Sequence, residues 1–205
     1  GQPGPIDHTT YISVQFDGKP IFEDFSFSVD EGEKVLISGK SGNGKSTLLR
    51  VLLGFNEFDN GSLLVRDKVV NPGDFSEIRK LFAYVNQDVT LRPGIVRDVL
   101  AEIAKFSGND YDGGFDKELA AHLDFDLSLL DKNTEELSGG ERQRLGIILA
   151  TMLNRPVYLL DEVTSALDKD LKQKVADYFA NCDKTVISVS HDPQWAETQA
   201  FRKVE

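Results

Sequence analysis

The segment KVLISGKSGNGKSTLLRVLLG, residues 34–54, places a glycine-rich loop between an apolar run and an apolar helical pattern. The run KVLIS, residues 34–38, is continuous rather than alternating, which suits a strand buried in a parallel sheet. The helical part ends at Gly54, and glycine commonly follows the last turn of a helix. The order of strand, loop and helix predicts a layered α/β fold.

The rest of the chain continues this alternation of apolar strands and helices. Strands are predicted at GSLLV (61–65), LFAYV (81–85), VYLLD (157–161) and TVISVS (185–190), and helices at 139–153 and 169–179. Such alternation is typical of an α/β fold with a mostly parallel sheet.

Two further regions are expected outside this core. Residues 11–16 and the alternating FSFSV, residues 25–29, predict a small N-terminal antiparallel β-subdomain. From about residue 89, charged helical pieces alternate with polar loops, which predicts a helical insertion over about 89–145. We expect residues 1–205 to form a single domain that contains this insertion.

Charge and composition disfavour several classes of partner. The 205 residues carry a net charge of −11, whereas general nucleic-acid binders and anionic-membrane binders need basic faces. The chain has one cysteine, Cys182, so no internal disulfide can form. No stretch approaches the ~20 apolar residues that cross a bilayer. We therefore expect no nucleic acid, no direct membrane insertion, and any membrane role through a partner.

The loop GKSGNGKST has the pattern Gly-x-x-x-x-Gly-Lys-Ser of a phosphate-binding loop. Its glycines let successive backbone N–H groups wrap around a phosphate. Lys45 is placed to reach the β- and γ-phosphate oxygens, and Ser46 is placed to bind Mg²⁺. The predicted phosphate-loop residues are Gly39, Lys40, Ser41, Gly42, Asn43, Gly44, Lys45, Ser46 and Thr47. We therefore expect a P-loop ATPase core that takes ATP and Mg²⁺ as cofactors.

Polar side chains at the ends of predicted strands complement this loop. Asp161 is placed to hold Mg²⁺ through water, and Glu162 to orient or deprotonate a water beside the γ-phosphate. Gln87 follows another strand, where we expect contact with the metal or the attacking water. His191 follows a third strand at the same carboxyl edge, where it can hydrogen-bond a γ-phosphate or Glu162. With Lys45, these three residues Gln87, Glu162 and His191 form the predicted catalytic set.

The octet LSGGERQR, residues 137–144, begins the helix predicted at 139–153. Ser138 with Glu141 three residues later forms the pattern of a capping box. The paired glycines at the start cost helix stability, which indicates that something approaches the backbone closely there. An exposed helix N-terminus favours an anion.

These motifs, in this order, resemble the nucleotide-binding subunit of an ATP-binding cassette (ABC) transporter over roughly residues 12–195. GKSGNGKST resembles Walker A, VYLLDE resembles Walker B, Gln87 the Q-loop, SALD (165–168) the D-loop, and His191 the switch histidine. LSGGERQR resembles the family signature and is the most specific of them.

The resemblance implies a composite active site. In this family two cassettes pack head to tail around two ATP molecules, so Ser138, Gly139 and Gly140 of one copy would contact the γ-phosphate held by Lys45 of the other. The D-loop residue Asp168 would join the nucleotide site. The interface would be isologous, with each signature serving the nucleotide of the partner copy. The amides of the capped helix would supply positive potential at the transferring phosphoryl group.

The resemblance also implies a site for the adenine ring. Phe16 occupies the position of the family's A-loop aromatic residue, with Tyr11 as the alternative and core packing as the competing role. Val163 stands where many members have proline. The segment after Gln87, DVTLRPGIVRDVL, resembles exporter cassettes more than importers, although the acidic motif before the signature of many exporters is missing.

We therefore expect an ATPase subunit that powers a separate transmembrane permease and lies on the cytoplasmic face of the plasma or inner membrane. The chain resembles a short, separately encoded cassette, and a domain cut from a larger transporter is the alternative. Two other functions compete with it: a soluble ABC ATPase that does not serve transport, and an ATP-timed regulatory or assembly module. The substrate would be chosen by the permease.

Replacing Lys45 by alanine tests the phosphate-loop assignment. The lysine would contribute charge-assisted hydrogen bonds to phosphate, so Lys45→Ala should weaken ATP binding by at least about tenfold. Titration of the purified protein with a fluorescent ATP analogue measures this loss. An unchanged affinity for ATP would show that the phosphate-loop assignment is wrong.

Overall fold

The computed structural model describes residues 10–16, 25–38, 44–54, 61–106 and 115–204. The strands are β1 (Thr10–Phe16), β2 (Phe25–Asp30), β3 (Lys34–Ile37), β4 (Gly61–Val65), β5 (Lys68–Val69), β6 (Phe82–Val85), β7 (Val157–Asp161), β8 (Thr185–Val189) and β9 (Phe201–Val204). The α-helices are α1 (Gly44–Leu52), α2 (Phe75–Ile78), α3 (Val96–Phe106), α4 (Lys117–His122), α5 (Gly139–Met152), α6 (Lys169–Asn181) and α7 (Pro193–Glu197).

A five-stranded parallel sheet forms the centre of the fold, with strand order β6-β7-β8-β3-β9. Every residue of β3, β7 and β8 is buried, which explains why most of their residues are apolar on both faces. The predicted parallel sheet is therefore confirmed. The edge strand β9 was not predicted, because its central residues Arg202 and Lys203 are exposed and give it no apolar pattern.

Two hydrophobic clusters cover the two faces of this sheet. Along β7, Val157 and Leu159 pack with α1 and the N-terminal strands, whereas Tyr158 and Leu160 pack with α5 and α6. Successive strand residues point to opposite faces, so each strand contributes to both clusters. The molecule is consequently layered as the alternation of strands and helices predicted.

The strands β1, β2, β4 and β5 form a separate antiparallel sheet with strand order β2-β1-β4-β5, so the predicted strand GSLLV joins this sheet and not the parallel one. In β2, Phe27 and Val29 are buried while Ser26 and Ser28 are exposed. This alternation is the pattern from which a half-buried strand was predicted, and the antiparallel sheet is confirmed.

The interval between β6 and β7 is helical. It holds α3, α4, the 3-10 segments Leu127–Asp131 and Thr134–Glu136, and α5. Its apolar side chains, among them Leu100, Leu123 and Leu137, pack in the same cluster as the residues of α6. The helices of the predicted insertion over 89–145 therefore share the hydrophobic core of one sheet face.

A buried polar network ties the segment after β7 to the segment after β8. Thr164 accepts a hydrogen bond from the indole nitrogen Nε1 of Trp195 at 2.9 Å and donates one to Asp192 at 2.7 Å. Lys172 of α6 forms an ion pair with the second oxygen of Asp192 at 2.8 Å. Thr164 and Trp195 are fully buried, whereas the side chains of Lys172 and Asp192 keep 19% and 15% of their surface exposed.

Thr164→Val is expected to destabilise the protein. Valine keeps the shape of threonine but leaves the buried Trp195 N–H without a partner, which costs about 1–3 kcal/mol of the free energy of unfolding. Urea denaturation measures the change. Thr151→Val is the matched control, because the half-buried Thr151 hydroxyl donates to the carbonyl of Ile148 within α5, and it should change stability by less than about 0.5 kcal/mol.

Candidate active site

Four predicted site residues lie at one edge of the parallel sheet. Strands β6, β7 and β8 are parallel neighbours, so their carboxyl ends meet there. Gln87 follows β6, Asp161 ends β7 with Glu162 directly after it, and His191 follows β8. The next strand, β3, runs parallel to β8 and ends at the same edge, shortly before the glycine-rich segment in the sequence. This edge is where ligands bind in open α/β sheets.

Glu162 and His191 lie next to each other at this edge. The Nε2 atom of His191 lies 3.4 Å from Oε1 of Glu162, and the backbone N–H of His191 points to Oε2 at 3.4 Å. Burial raises the pKa of Glu162, and the neighbouring His191 works in the opposite direction. A carboxylate with a raised pKa is a better proton acceptor, which suits a general base.

The backbone of Glu162 is in the left-handed region, with φ of 52°. This conformation is uncommon for a residue with a side chain and persists where the surroundings hold it. The backbone N–H of Glu162 donates to the carbonyl of Val189 on β8 at 2.9 Å. The neighbouring strand therefore helps to fix the turn that aims this carboxylate.

Asp161 is buried at the end of β7, with 5% of its surface exposed. Burial, together with the Asp161 carboxylate beside it, raises the pKa of Tyr84, so the phenol remains protonated next to the acid. The carboxylate of Asp161, the hydroxyl of Ser46 and the amide oxygen of Gln87 are hard oxygen donors of the kind that Mg²⁺ prefers. This donor chemistry fits the predicted Mg²⁺.

The phosphate loop lies largely outside the described residues. This applies to Gly39, Lys40, Ser41, Gly42 and Asn43, and to the side chains of Phe16, Ser46 and Thr47. Helix α1 begins at Gly44, and Lys45 is half-buried in its first turn. Tyr11, the alternative residue for the adenine ring, is 2% exposed and packs in the core beneath the Arg66 guanidinium, so it offers no face for stacking.

The signature segment, residues 137–144, forms the predicted capping box. The hydroxyl of Ser138 accepts from the backbone N–H of Glu141 at 3.1 Å, and the Glu141 carboxylate accepts from the Ser138 N–H at 2.8 Å. Ser138 and Gly139 are exposed. At Gly140 an added Cβ would lie 3.1 Å from the carbonyl oxygen of Ala166, so this glycine lets the D-loop approach the helix.

Two further predicted residues bond within the chain. The amide nitrogen of Gln87 donates to the Ser165 hydroxyl at 3.4 Å, which places the Q-loop against the D-loop. The carboxylate of Asp168 accepts from the backbone N–H of Leu171 at 2.9 Å and so caps α6. The roles of Gln87 and Asp168 towards a nucleotide stay predictions.

Sequence reasoning missed Gln143, which lies at the centre of these segments. Its side chain is 4% exposed and bonds to Gln87, Glu162, Ser165 and Ala166. A glutamine between two arginines has no apolar neighbour to suggest burial, and such a residue is usually solvated. Only the approach of three distant segments shows that it is buried.

A mostly apolar groove of about 350 Å³ lies between α5 and the segment that follows β6. Val89, Thr90 and Leu91 line one side, and Gly146 and Leu149 of α5 line the other.

Within the described part of the chain, the search for an apolar helix of membrane-crossing length found none.

Comparison with known proteins places this arrangement in a family. The family model described as "ABC transporter" matches residues 22–165, which include the phosphate loop and the signature. The chain belongs to the ABC transporter family. It is an ABC ATPase domain, and the family explains why a P-loop core and a signature helix occur together.

Curated relatives include both stand-alone and larger transport proteins. The ergothioneine transport ATP-binding protein of Helicobacter pylori is 32% identical over 95% of this chain and 93% of its own length. The ATP-dependent lipid A-core flippase of Idiomarina loihiensis is 34% identical over 91% of this chain. The chain spans only 33% of that flippase.

Solved structures share the fold. A bacterial Atm1-family ABC exporter with ATP bound has a TM-score of 0.75 and 26% identity, covering 96% of this chain and 38% of the exporter chain. A dimeric bacterial ABC transporter cassette has a TM-score of 0.75 and 23% identity over 94% of both chains. Both support an ABC ATPase cassette fold.

Proposed function

We propose that this ABC domain hydrolyses ATP and powers a transmembrane permease, through a dimer that closes around two nucleotides. The observation that carries the proposal is the pair of Glu162 and His191 at the sheet edge where β3, the strand before the glycine-rich sequence, also ends. A hydrogen-bonded carboxylate with a raised pKa at this edge is suited to activating a water rather than only to binding nucleotide.

Each residue of the proposed site has its own role in ATP hydrolysis. Lys45 and the amides of the glycine-rich loop hold the phosphates, and Glu162 orients and deprotonates the attacking water. His191 stabilises the Glu162 carboxylate and lies where it can bond a γ-phosphate. Ser46 and Asp161, with Gln87, would hold Mg²⁺, which would supply positive charge at the phosphate oxygens.

The partner copy would complete the site. Ser138 and Gly139 are exposed at the start of α5, so they are free to contact a nucleotide on another molecule. The capping box uses the N–H of Glu141 but leaves the first amides of α5 directed outwards, where an anion is stabilised. One of the neighbouring folds is described as a dimeric post-hydrolysis state bound to ADP and Pi. We extend this assembly to the present chain as a proposal.

The permease would dock in the apolar groove beside the Q-loop. The groove joins α5, the signature helix, to the residues directly after Gln87. An inserted helix of the permease would therefore contact two catalytic segments at once. Such docking would place the domain peripherally on the cytoplasmic face of the plasma or inner membrane, and the substrate would be chosen by the permease.

Glu162→Gln is expected to keep ATP binding and lose hydrolysis. The amide has the shape of the acid but cannot accept the proton of water, so turnover should fall about 10²- to 10⁴-fold. Phosphate release measures turnover, nucleotide titration measures binding, and size-exclusion chromatography should show a dimer stabilised by ATP.

The exposed Glu135→Gln is the matched control for this variant, and it should hydrolyse ATP as the wild type does. Hydrolysis by Glu162→Gln at the wild-type rate would show that the catalytic carboxylate is assigned wrongly. A monomer that is fully active at high dilution would rule out the composite site.

Leu149→Glu tests the docking groove. The half-buried leucine lines the groove, and a carboxylate there would oppose the entry of an apolar helix. The variant should keep basal ATP hydrolysis within about twofold and lose stimulation by the permease in proteoliposomes.

Leu127→Glu provides the comparison, because Leu127 is 40% exposed and lies outside the groove. Stimulation should survive this change. Equal stimulation of both variants by the permease would place the docking surface elsewhere.

A further inference from the structure

Gln143 joins the signature helix to three segments of the catalytic site in the same chain. It lies on α5, five residues after the helix cap Ser138, which corresponds to about 7.5 Å along the helix axis. Ser138 faces solvent at the start of the helix, while Gln143 is buried. One rigid helix therefore carries a residue for the partner's nucleotide and a residue inside its own site.

The hydrogen bonds of Gln143 define its orientation. Its Nε2 atom donates towards the carbonyl of Gln87 at 3.2 Å, the carbonyl of Glu162 at 3.3 Å and the hydroxyl of Ser165 at 2.9 Å. Its Oε1 atom accepts from the backbone N–H of Ala166 at 2.9 Å. Carbonyls only accept and a backbone N–H only donates, so a flipped amide would lose three of these four bonds.

These contacts act on the catalytic turn, which is the segment directly after β7 that contains Glu162. Glu162 is in the left-handed backbone conformation, its N–H donates to Val189 on β8, and Gln143 donates to its carbonyl oxygen. The backbone N–H of Ser165 points to the same carbonyl at 3.4 Å, and Ser165 is itself bonded to Gln143. A shift of α5 would therefore move the turn that aims the Glu162 carboxylate.

Because the residues around Gln143 are closely packed, a shift of α5 would also move the D-loop. The backbone of Ala166 lies so near α5 that Gly140 has no room for a side chain without displacement of its neighbour. The D-loop is consequently held against the signature helix at Gly140 and again at Gln143. Packed contacts of this kind transmit small displacements instead of absorbing them.

We propose that Gln143 is a positioning residue that couples the two nucleotide sites of the dimer. A nucleotide bound by the partner and contacted by Ser138 would fix α5, and Gln143 would pass that constraint to the backbone of Glu162 in its own site. The inference rests on the proposed function, because it requires the signature to serve the partner's nucleotide.

The test compares the hydrolysis kinetics of Gln143→Met with those of the wild type. Methionine is unbranched and similar in length but cannot form the four hydrogen bonds. We expect kcat to fall about 10- to 100-fold, because small misplacements of catalytic groups have effects of this size. The KM for ATP should stay within about twofold, since the four hydrogen bonds that Gln143→Met removes go to residues 87, 162, 165 and 166 and not to a phosphate-binding residue. The Hill coefficient for ATP should fall from above one to one, the value for independent sites.

Three further variants separate positioning from general loss of stability. Gln173→Met makes the same change on α6, where Gln173 bonds to Asp177 and Thr198, and it should leave kcat and the Hill coefficient unchanged. Ser165→Ala removes one partner of Gln143 without altering α5, and it should lower kcat and the Hill coefficient in the same direction. The double variant with Gln143→Met should lose less activity than the two single losses added as free energies, because both changes break the bond between Gln143 and Ser165, while Ser165→Ala also removes the acceptor of Gln87.

The outcomes distinguish this inference from the proposed function. If Glu162→Gln is inactive while Gln143→Met and Ser165→Ala keep the wild-type kcat and Hill coefficient, the coupling role is wrong and the proposed function stands. A lower kcat with an unchanged Hill coefficient would also overturn the coupling. Hydrolysis by Glu162→Gln at the wild-type rate would overturn the proposed function and this inference together.

Discussion

The parallel hydrogen-bonded pairing of β6, β7, β8 and β3 is the constraint on which the site depends. Neighbouring parallel strands end at the same edge. Residues that are far apart in the chain therefore lie close together because of the strand pairing, even where their side chains do not bind each other. Gln87, Asp161 and His191 owe their common location to this pairing. Antiparallel pairing of any one strand would carry its terminal side chain to the opposite edge of the sheet.

Buried polar side chains then fix the loops that leave this edge. Thr164 and Asp192 tie the loop after β7 to the loop after β8, while Gln143 ties both the Q-loop and the D-loop to α5. Loops would otherwise be the most mobile parts of such a fold. A buried hydrogen bond penalises each alternative loop position with an unpaired group, so these few residues restrict the geometry of the catalytic turn.

Burial and hydrogen bonding explain which elements could be predicted from the sequence. The strands β3, β7 and β8 were predicted because both of their faces are buried, which gives them runs of mostly apolar residues. Helices α5 and α6 begin at the predicted residues, since Ser138 and Asp168 cap them with their own side chains. The strand β9 escaped prediction because it lies at the edge of the sheet, where Arg202 and Lys203 face solvent.

The sequence by itself determined the layered α/β core, the chemical types of the site residues and the cap of the signature helix, because each is encoded within a few neighbouring residues. Only the tertiary structure decided that Gln143 is buried, that Gln87 lies against Ser165, and that Tyr11 is a core residue rather than a surface for adenine. These facts depend on segments that approach from distant parts of the chain. The local sequence does not indicate such neighbours, because the burial of a polar side chain depends on the segments that pack over it and not on the residue itself.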